Sequence, residues 1–390
     1  MILIRNGDVF APHARGKCDV LIGGRKILAV EPVIDPGRLP GAVEVIDAAG
    51  LAVVPGFVDG HQHFTGGGGE GGFHTRTPEM QLSMNTSNGV TTAVGVLGTD
   101  ALTRTVESLY AKTQSFNAEG ITALMLTGSY WHPSPTITGS VARDLVYVQP
   151  VIGCKLALSD IRGPHIDAAG LTALAADIRV AALVANKPGI ITVHTGAKPG
   201  GLELIFEVVR THGIRADMFI PTHINRKNPA LTDQVLELAR MGAVVDATCL
   251  NSLPAEDAVH LSAADFACLA EANGVFDRVA FSSDAGGSLP VWNEDRSRII
   301  GMGIGSPESL RFELGHLVNT RGMPLDRALR PLTTTPARVY GLSGVKGELT
   351  PGADADVLVL DPERMRIRDV LACGSVMVRG GRVEKKGYFE

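Results

Sequence analysis

Ionisable side chains of metal-binding types follow or lie within several apolar segments in the middle of the chain. Two of them are histidines two residues apart, so on a strand their side chains would lie on the same face. In chain order the residues are His61, His63, Lys155, His194, His223 and Asp284. Imidazole nitrogens and carboxylate oxygens bind divalent metal ions. These residue types therefore predict a metal site, provided that the fold brings them together.

Lys155 lies inside the apolar segment 151–158, where an ammonium group is costly to bury unless it is paired. One interpretation is an ion pair with a nearby acid such as Asp160. The other is that burial lowers the pKa of the amine, which then takes up CO₂. The resulting carbamate would offer two oxygens and a negative charge to bridge two metal ions. The place of Lys155 in the fourth apolar segment favours the second interpretation.

Eight short apolar segments alternate with helical stretches, a pattern typical of parallel β/α units. Eight such units close a (β/α)₈ TIM barrel, and the fold class predicted is α/β. The seven steps from His61 to Asp284 average about 32 residues, close to the ~31 of a ~250-residue barrel. The alternative is a doubly wound open sheet. It is less favoured, because the sequence has no GxGxxG motif after the first strand. The segments are 56–60, 90–96, 121–126, 151–156, 190–193, 218–222, 243–246 and 279–283.

Short apolar segments separated by turns occur at both ends of the chain. Asn6-Gly7 and Gly23-Gly24 predict hairpin turns between the first strands. Neither end alone has enough strands for a stable sheet, so the two ends are predicted to form one small β-sandwich domain. The predicted domains are a β domain of residues 1–54 and 344–390 and a barrel of residues 55–343.

The composition of the 390-residue chain is ordinary for a soluble enzyme. The 36 Lys and Arg residues against 41 Asp and Glu give a net charge of −5, which disfavours a nucleic-acid partner. The five scattered cysteines include no CxxC pair, so neither a disulfide framework nor a cysteine zinc site is indicated. No apolar run approaches the ~18 residues of a membrane span. We therefore expect a cytoplasmic protein without a membrane partner.

Seven further stretches complete a pattern that runs over essentially the whole chain. They are 66–70, 75–79, 97–100, 126–130, 159–162, 221–226 and 282–288, beside 55–63 at the first histidines. Together with the six candidate metal-binding residues, they resemble the amidohydrolase superfamily with a binuclear metal centre, and within it the isoaspartyl (beta-aspartyl) dipeptidase family. The Gly-rich loop with Glu70 and the arginines Arg162 and Arg226 carry the narrower resemblance.

The resemblance implies a site for two divalent metal ions. His61 and His63 would hold the more buried ion with Asp284, and His194 and His223 the second, with carboxylated Lys155 (N6-carboxylysine) as the bridge. A metal-bridging hydroxide would attack the isopeptide bond, with Asp284 as the catalytic base. Tyr130 would polarise the substrate carbonyl. Zinc suits these ligands, which also fit cobalt or manganese.

The implied substrate is an isoaspartyl dipeptide, which carries one ammonium group and two carboxylates. Glu70 suits the ammonium group, and the Gly68 N–H and Thr99 suit the α-carboxylate. The C-terminal carboxylate would be bound by Arg162, Arg226 and Ser288, because an arginine fork matches carboxylate geometry. The family also implies a homo-oligomer, with an octamer as one form. The residue accepted after isoaspartate and the roles of His74, Trp131 and His132 stay open.

Two other functions compete with the dipeptidase. Another binuclear amidohydrolase, dihydroorotase-like or D-aminoacylase-like, would share the metal ligands but would not need Glu70 with Arg162 and Arg226. A non-catalytic barrel with a structural or interaction role should have lost ligands, whereas this sequence retains all six. Metal analysis would distinguish a metalloenzyme from the non-catalytic barrel. Substrate assays would distinguish the dipeptidase from the other two hydrolases.

Overall fold

The computed structural model describes residues 1–163, 165–250, 261–293 and 299–390. The N-terminal part forms five strands: β1 (Ile2–Phe10), β2 (Ala14–Gly23), β3 (Lys26–Glu31), β4 (Glu44–Asp47) and β5 (Ala52–Pro55). The hairpin turn predicted at Gly23-Gly24 is confirmed, since β2 and β3 pair on either side of it.

The hairpin turn predicted at Asn6-Gly7 is wrong, because β1 continues through these residues. The pairing of β1 with β2 shifts register between Ile4 and Gly7, and Asn6 has a φ of 61°. The Asn6 backbone N–H and side chain donate to Asp19 and Asp47, which holds this irregularity in place. A Cβ on Gly7 would come within 2.4 Å of Val53, so glycine is needed here for close packing rather than for a turn.

A parallel sheet of eight strands forms the middle of the chain, and its strands neighbour one another in chain order. The sheet closes where the backbone N–H of His63, just after the first strand, donates to Ala285 O at 2.7 Å, just after the last. All eight predicted segments are strands, and the predicted (β/α)₈ barrel is confirmed. They are β6 (Phe57–Gln62), β7 (Val90–Gly95), β8 (Thr122–Gly128), β9 (Val151–Leu158), β10 (Ile190–Thr195), β11 (Phe219–Thr222), β12 (Val245–Thr248) and β13 (Val279–Ser282).

Helices separate the barrel strands and pack apolar side chains against them. The longest begins after Asp167, whose side chain accepts from the Gly170 N–H, and ends at Asn186 in the left-handed conformation. The helices are α1 (Leu82–Thr86), α2 (Val106–Glu119), α3 (Val141–Tyr147), α4 (Ala168–Ala185), α5 (Glu203–His212), α6 (Pro229–Arg240), α7 (Ala263–Ala272), α8 (Glu308–Gly315), α9 (Leu325–Ala328) and α10 (Thr334–Val339). Among the described residues, α4 alone is long and apolar enough to cross a membrane, which by itself is weak evidence for a span.

Shorter elements complete the chain. A two-stranded hairpin, β14 (Ser288–Trp292) and β15 (Ile299–Ile304), follows the last barrel strand. Single 3₁₀ turns occur at Pro36–Arg38, Phe73–Thr75, Ala216–Met218, Phe276–Arg278 and Arg330–Leu332, and a π-helical turn at His316–Thr320. The last four strands are β16 (Val357–Asp361), β17 (Arg366–Ala372), β18 (Ser375–Arg379) and β19 (Arg382–Val383).

The two chain ends form one small β domain, as predicted. Its nine strands make a continuous sheet in which β16 pairs antiparallel with β5. Next to this junction, the buried Lys346 ammonium lies 2.9 Å from Asp354 and 2.8 Å from Asp356. Thr92 of β7 donates to the same Asp356 oxygen at 3.5 Å, so this ion cluster also contacts the barrel. The domain boundaries at residues 54/55 and 343/344 stay a prediction.

Candidate metal and substrate site

The carboxyl ends of the first and last barrel strands bring His61, His63 and Asp284 together. Their ligand atoms lie within 4.8 Å of one another, and the two histidines are buried. Asp284 Oδ1 is 3.1 Å from His63 Nε2 and 3.6 Å from His61 Nε2. This oxygen is buried, yet no hydrogen-bond donor for it is found among the described residues. A cation between the carboxylate and the imidazoles would satisfy it.

Lys155 in β9 is fully buried and faces the same cluster, with its Nζ 3.2 Å from His61 Nε2. Burial lowers the pKa of this amine to about 7, although the carboxylates of Asp284 and Asp246 act in the opposite direction. The predicted alternative, an ion pair with Asp160, does not form. Asp160 contacts His194 and Arg162 instead.

His194 and His223 stand beside this cluster, at the ends of β10 and β11. Their ring centroids are 4.7 Å apart, and the His223 ring is 5.2 Å from that of His61. Burial lowers the pKa of His194 to about 4 and that of His223 well below its usual value. Both rings are therefore neutral near pH 7, which is the form that binds metal ions. The six predicted residues thus meet at one rim of the barrel.

Neighbouring polar groups fix how these two rings are turned. Thr248 Oγ1 lies 2.7 Å from His223 Nδ1, which leaves Nε2 directed towards the other rings. His194 Nε2 lies 3.0 Å from Asp160 Oδ2, and its Nδ1 lies 2.5 Å from the Tyr130 hydroxyl. Such outer contacts orient ligand imidazoles in metal sites generally.

Positive φ angles occur at two of the proposed ligands, His223 at 61° and Asp284 at 51°. Residues other than glycine adopt this region at a cost, and such strain concentrates at functional sites. Here the strained residues directly follow β11 or lie two residues after β13. The surrounding structure holds the two side chains over the barrel mouth at that cost.

The Gly-rich loop brings Glu70 to the same mouth. Thr99 Oγ1 donates to Glu70 Oε1 at 2.8 Å, Ser288 Oγ donates to Glu70 Oε2 at 3.3 Å, and the Arg162 guanidinium lies 3.5 Å from Oε1. Gly68 is adjacent, since a Cβ there would lie 3.1 Å from the Ser288 side chain. Five of the predicted substrate-binding residues therefore lie together beside the proposed metal ligands.

Tyr130 and Arg226 complete the predicted set. Tyr130 is buried, and burial raises the pKa of its hydroxyl far above the usual range, so it keeps its proton. The Arg162 guanidinium lies 5.6 Å from the centre of the Tyr130 ring. Arg226 is half-buried three residues after His223, and its charge contributes to the lowered pKa of that histidine.

Comparison with known proteins places this site in a family. A sequence model of the amidohydrolase family matches residues 157–383, more than half of the chain, and a second amidohydrolase model matches residues 44–102. This chain belongs to the amidohydrolase family. The structure of this amidohydrolase is similar to that of beta-aspartyl dipeptidase from Fervidobacterium islandicum AW-1 in complex with a beta-Asp-Leu dipeptide. The sequences are 36% identical, 98% of each chain is covered, and the TM-score is 0.89. The predicted resemblance is confirmed.

Two other comparisons are more limited. A D-hydantoinase structure matches with a TM-score of 0.71 over 99% of this chain and 97% of its own, but at 20% identity it shows the fold alone. A dihydroorotase of Staphylococcus aureus is 35% identical over 111 residues, which are 28% of this chain. The matched part spans about a quarter of the length of this curated relative.

Sequence reasoning overlooked several residues around the site of this amidohydrolase. Asp246 of β12 is buried and accepts from Thr222 and Ser282, and burial raises its pKa to about 7. Burial likewise raises the pKa of Asp59 in β6 to about 6. An acid inside an apolar strand is the same signal that singled out Lys155, so both could have been found.

Two further residues support the loops around the site, and little in the sequence indicated either role. The buried Arg104 donates to Thr65 O at 3.0 Å and to Thr77 O at 3.1 Å, so it ties together the two ends of the Gly-rich loop. Trp131, whose role the sequence left open, donates its indole N–H to Thr99 O at 3.0 Å. It thereby supports the residue that reaches Glu70.

Proposed function

We propose that this amidohydrolase is a beta-aspartyl (isoaspartyl) dipeptidase, which hydrolyses the isopeptide bond between the aspartate side chain and the next residue. The observation that carries the proposal is the convergence of Glu70, Thr99, Arg162 and Ser288 beside the six metal-binding residues. The similar F. islandicum enzyme, with its bound beta-Asp-Leu, supports it.

The charges of the site match those of such a dipeptide. Glu70 would bind the α-ammonium group, with Thr99 and the Gly68 N–H on the α-carboxylate. Arg162, with Arg226 and Ser288, would bind the C-terminal carboxylate. Arginine suits this role because its planar, permanently charged guanidinium presents several N–H donors to a carboxylate.

The donor set fits two divalent metal ions, with zinc as the favoured metal. Buried neutral imidazoles and an Asp284 oxygen without a donor are what such ions require. His61, His63 and Asp284 would hold one ion and His194 and His223 the other, with Lys155 carboxylated by CO₂ between them. When bound, such ions would lower the pKa of water and so supply a hydroxide nucleophile near neutral pH.

Two side chains would handle the protons of the reaction. Asp284 is placed to accept the proton of the attacking water and to return it to the leaving amine. Tyr130 retains its proton and could donate a hydrogen bond to the substrate carbonyl oxygen, provided that its hydroxyl leaves His194. Assembly as a homo-oligomer, such as an octamer, and a cytoplasmic location remain proposals from the family resemblance.

A dihydroorotase-like activity is the second candidate, because the matched segment of the S. aureus dihydroorotase is 35% identical. A cyclic amide has no ammonium group to pair with the Glu70 carboxylate, so we expect this site to bind it weakly. The test is to assay the zinc-loaded protein with beta-aspartyl-leucine, dihydroorotate and an N-acyl amino acid. We expect kcat/KM for the dipeptide to exceed both others by at least about a hundredfold. Preference for either of the others would refute the dipeptidase.

A further inference from the structure

Asp160, the second residue after β9, has a carboxylate whose two oxygens are both fully engaged. Oδ1 accepts from the Arg162 backbone N–H at 2.8 Å and from its Nε at 3.0 Å. Oδ2 accepts from the second prong of the Arg162 guanidinium at 2.8 Å and lies 3.0 Å from His194 Nε2. The side chain is only 8% exposed. One buried carboxylate therefore contacts both a proposed metal ligand and a proposed substrate-binding arginine.

The contact with His194 selects one form of the ring. An ionised carboxylate only accepts hydrogen bonds, so His194 Nε2 must carry the ring proton. The lone pair then resides on Nδ1, which is the nitrogen 2.5 Å from the Tyr130 hydroxyl. The His223 ring centroid is 4.7 Å from that of His194. Asp160 thus turns the ligand nitrogen of His194 towards the barrel mouth, the usual effect of a carboxylate behind a metal-binding histidine.

The contact with Arg162 fixes the direction of the guanidinium. The two parallel hydrogen bonds hold Nε and one terminal nitrogen, so the other terminal nitrogen is left to face the mouth. That nitrogen is the one 3.5 Å from Glu70. Without Asp160, the half-exposed Arg162 side chain would have several rotamers available.

We propose that Asp160 is a positioning residue that orients His194 for metal binding and Arg162 for binding the substrate carboxylate. The Arg162 half rests on the proposed dipeptidase function, whereas the His194 half requires only that the site binds metal. Neither role is expected from the sequence, in which Asp160 is a candidate partner of Lys155.

The test compares Asp160→Asn with Arg162→Met, which removes the arginine and leaves the carboxylate. Zinc is titrated into each metal-free protein against a chelating dye, and kinetics with beta-aspartyl-leucine follow on the zinc-loaded forms. We expect Asp160→Asn to weaken the binding of one zinc ion about 10- to 100-fold and to raise KM. Arg162→Met should raise KM. It should change zinc affinity less than about threefold, because it leaves the contact between Asp160 and His194 in place.

A double-mutant cycle separates positioning from general damage to the fold. In a His194→Ala background, Asp160→Asn should weaken zinc binding no further, because the ring that it orients is gone. An equal loss in both backgrounds, or wild-type zinc affinity in Asp160→Asn, would overturn the His194 role. An unchanged KM in Asp160→Asn would overturn the Arg162 role. If wild-type protein binds zinc without cleaving the dipeptide, the proposed function fails, and the zinc titrations still decide the His194 role.

Discussion

Glu70 makes an ion pair with Arg162 across the place where we propose that substrate binds. The nearest approach is 3.5 Å, and the two side chains are 26% and 41% exposed. The proposed substrate would replace this pair with two others, its ammonium group on Glu70 and its carboxylate on Arg162. A ligand whose amino group is blocked cannot pair with Glu70, so its C-terminal carboxylate must compete with Glu70 for Arg162. We therefore predict that Glu70→Gln changes the affinity for these two kinds of ligand in opposite directions.

The expected magnitudes follow from exposure and charge. A charge-assisted hydrogen bond contributes about 1.5–3 kcal/mol, so Glu70→Gln should lower kcat/KM for beta-aspartyl-leucine roughly ten- to hundredfold. An ion pair this exposed contributes only about 0.2–1 kcal/mol. Its removal should therefore tighten binding of an amine-blocked ligand by up to about fivefold.

The assay measures kcat/KM for beta-aspartyl-leucine and the inhibition constant of its N-acetyl derivative, in wild type and in Glu70→Gln. Glu79→Gln is a suitable control, because Glu79 follows the same loop but pairs with Lys112 at 3.6 Å and is 62% exposed. The control should alter neither value by more than about twofold. Equal weakening of both ligands in Glu70→Gln would mean that Glu70 supports the loop rather than the substrate, and the reasoning would fail.

Three further predictions concern other residues. Native mass spectrometry of the zinc-loaded protein should find one CO₂ adduct on Lys155, and Lys155→Ala should lose activity that short-chain carboxylates partly restore; an unmodified lysine with two bound ions would contradict this. Asp284→Asn should lower kcat by about 10²–10⁴-fold, with a smaller loss of zinc by elemental analysis than in a histidine-to-alanine variant; near wild-type kcat would point to another base. Lys346→Met should lower the free energy of unfolding in urea by about 3–5 kcal/mol, because it leaves the buried Asp356 without its cation and Asp354 with only an exposed one. Lys26, which contacts the same Asp354 at 2.8 Å but is 48% exposed, serves as control, and its change to Met should cost at most about 1 kcal/mol; equal losses would refute the argument from burial.

The barrel was predictable because its strands are buried on both faces and read as continuous apolar segments. The polar residues at their ends followed from the same pattern, since parallel strands bring their carboxyl ends to one rim. Local turn chemistry was less reliable. Asn6-Gly7 has the composition of a hairpin turn, but packing against Val53 places it inside a strand.

Contacts between loops could not be read from the sequence. Glu70 and Arg162 are far apart in the chain, and their 3.5 Å approach depends on how two separate loops fold over the barrel. Asp160 illustrates the same limit. Whether it pairs with Lys155 or with His194 depends on the directions in which the side chains point, and the sequence does not show these directions. In β9, Lys155 points into the barrel, while Asp160 lies beyond the strand, beside the end of β10.

The pairing of β5 with β16 sets an order of events during synthesis. Strand β5 ends at Pro55 and its partner begins at Val357, so roughly 300 residues must be translated between them, which takes about 15–60 s at usual rates. Throughout that interval β5 presents an unpaired, apolar edge, the kind of surface on which nascent chains aggregate. The barrel lies between the two partners in the chain and can begin to form first. The small domain can therefore be completed only after β16 has been synthesised, when all the barrel strands that precede it in the chain are already available to fold.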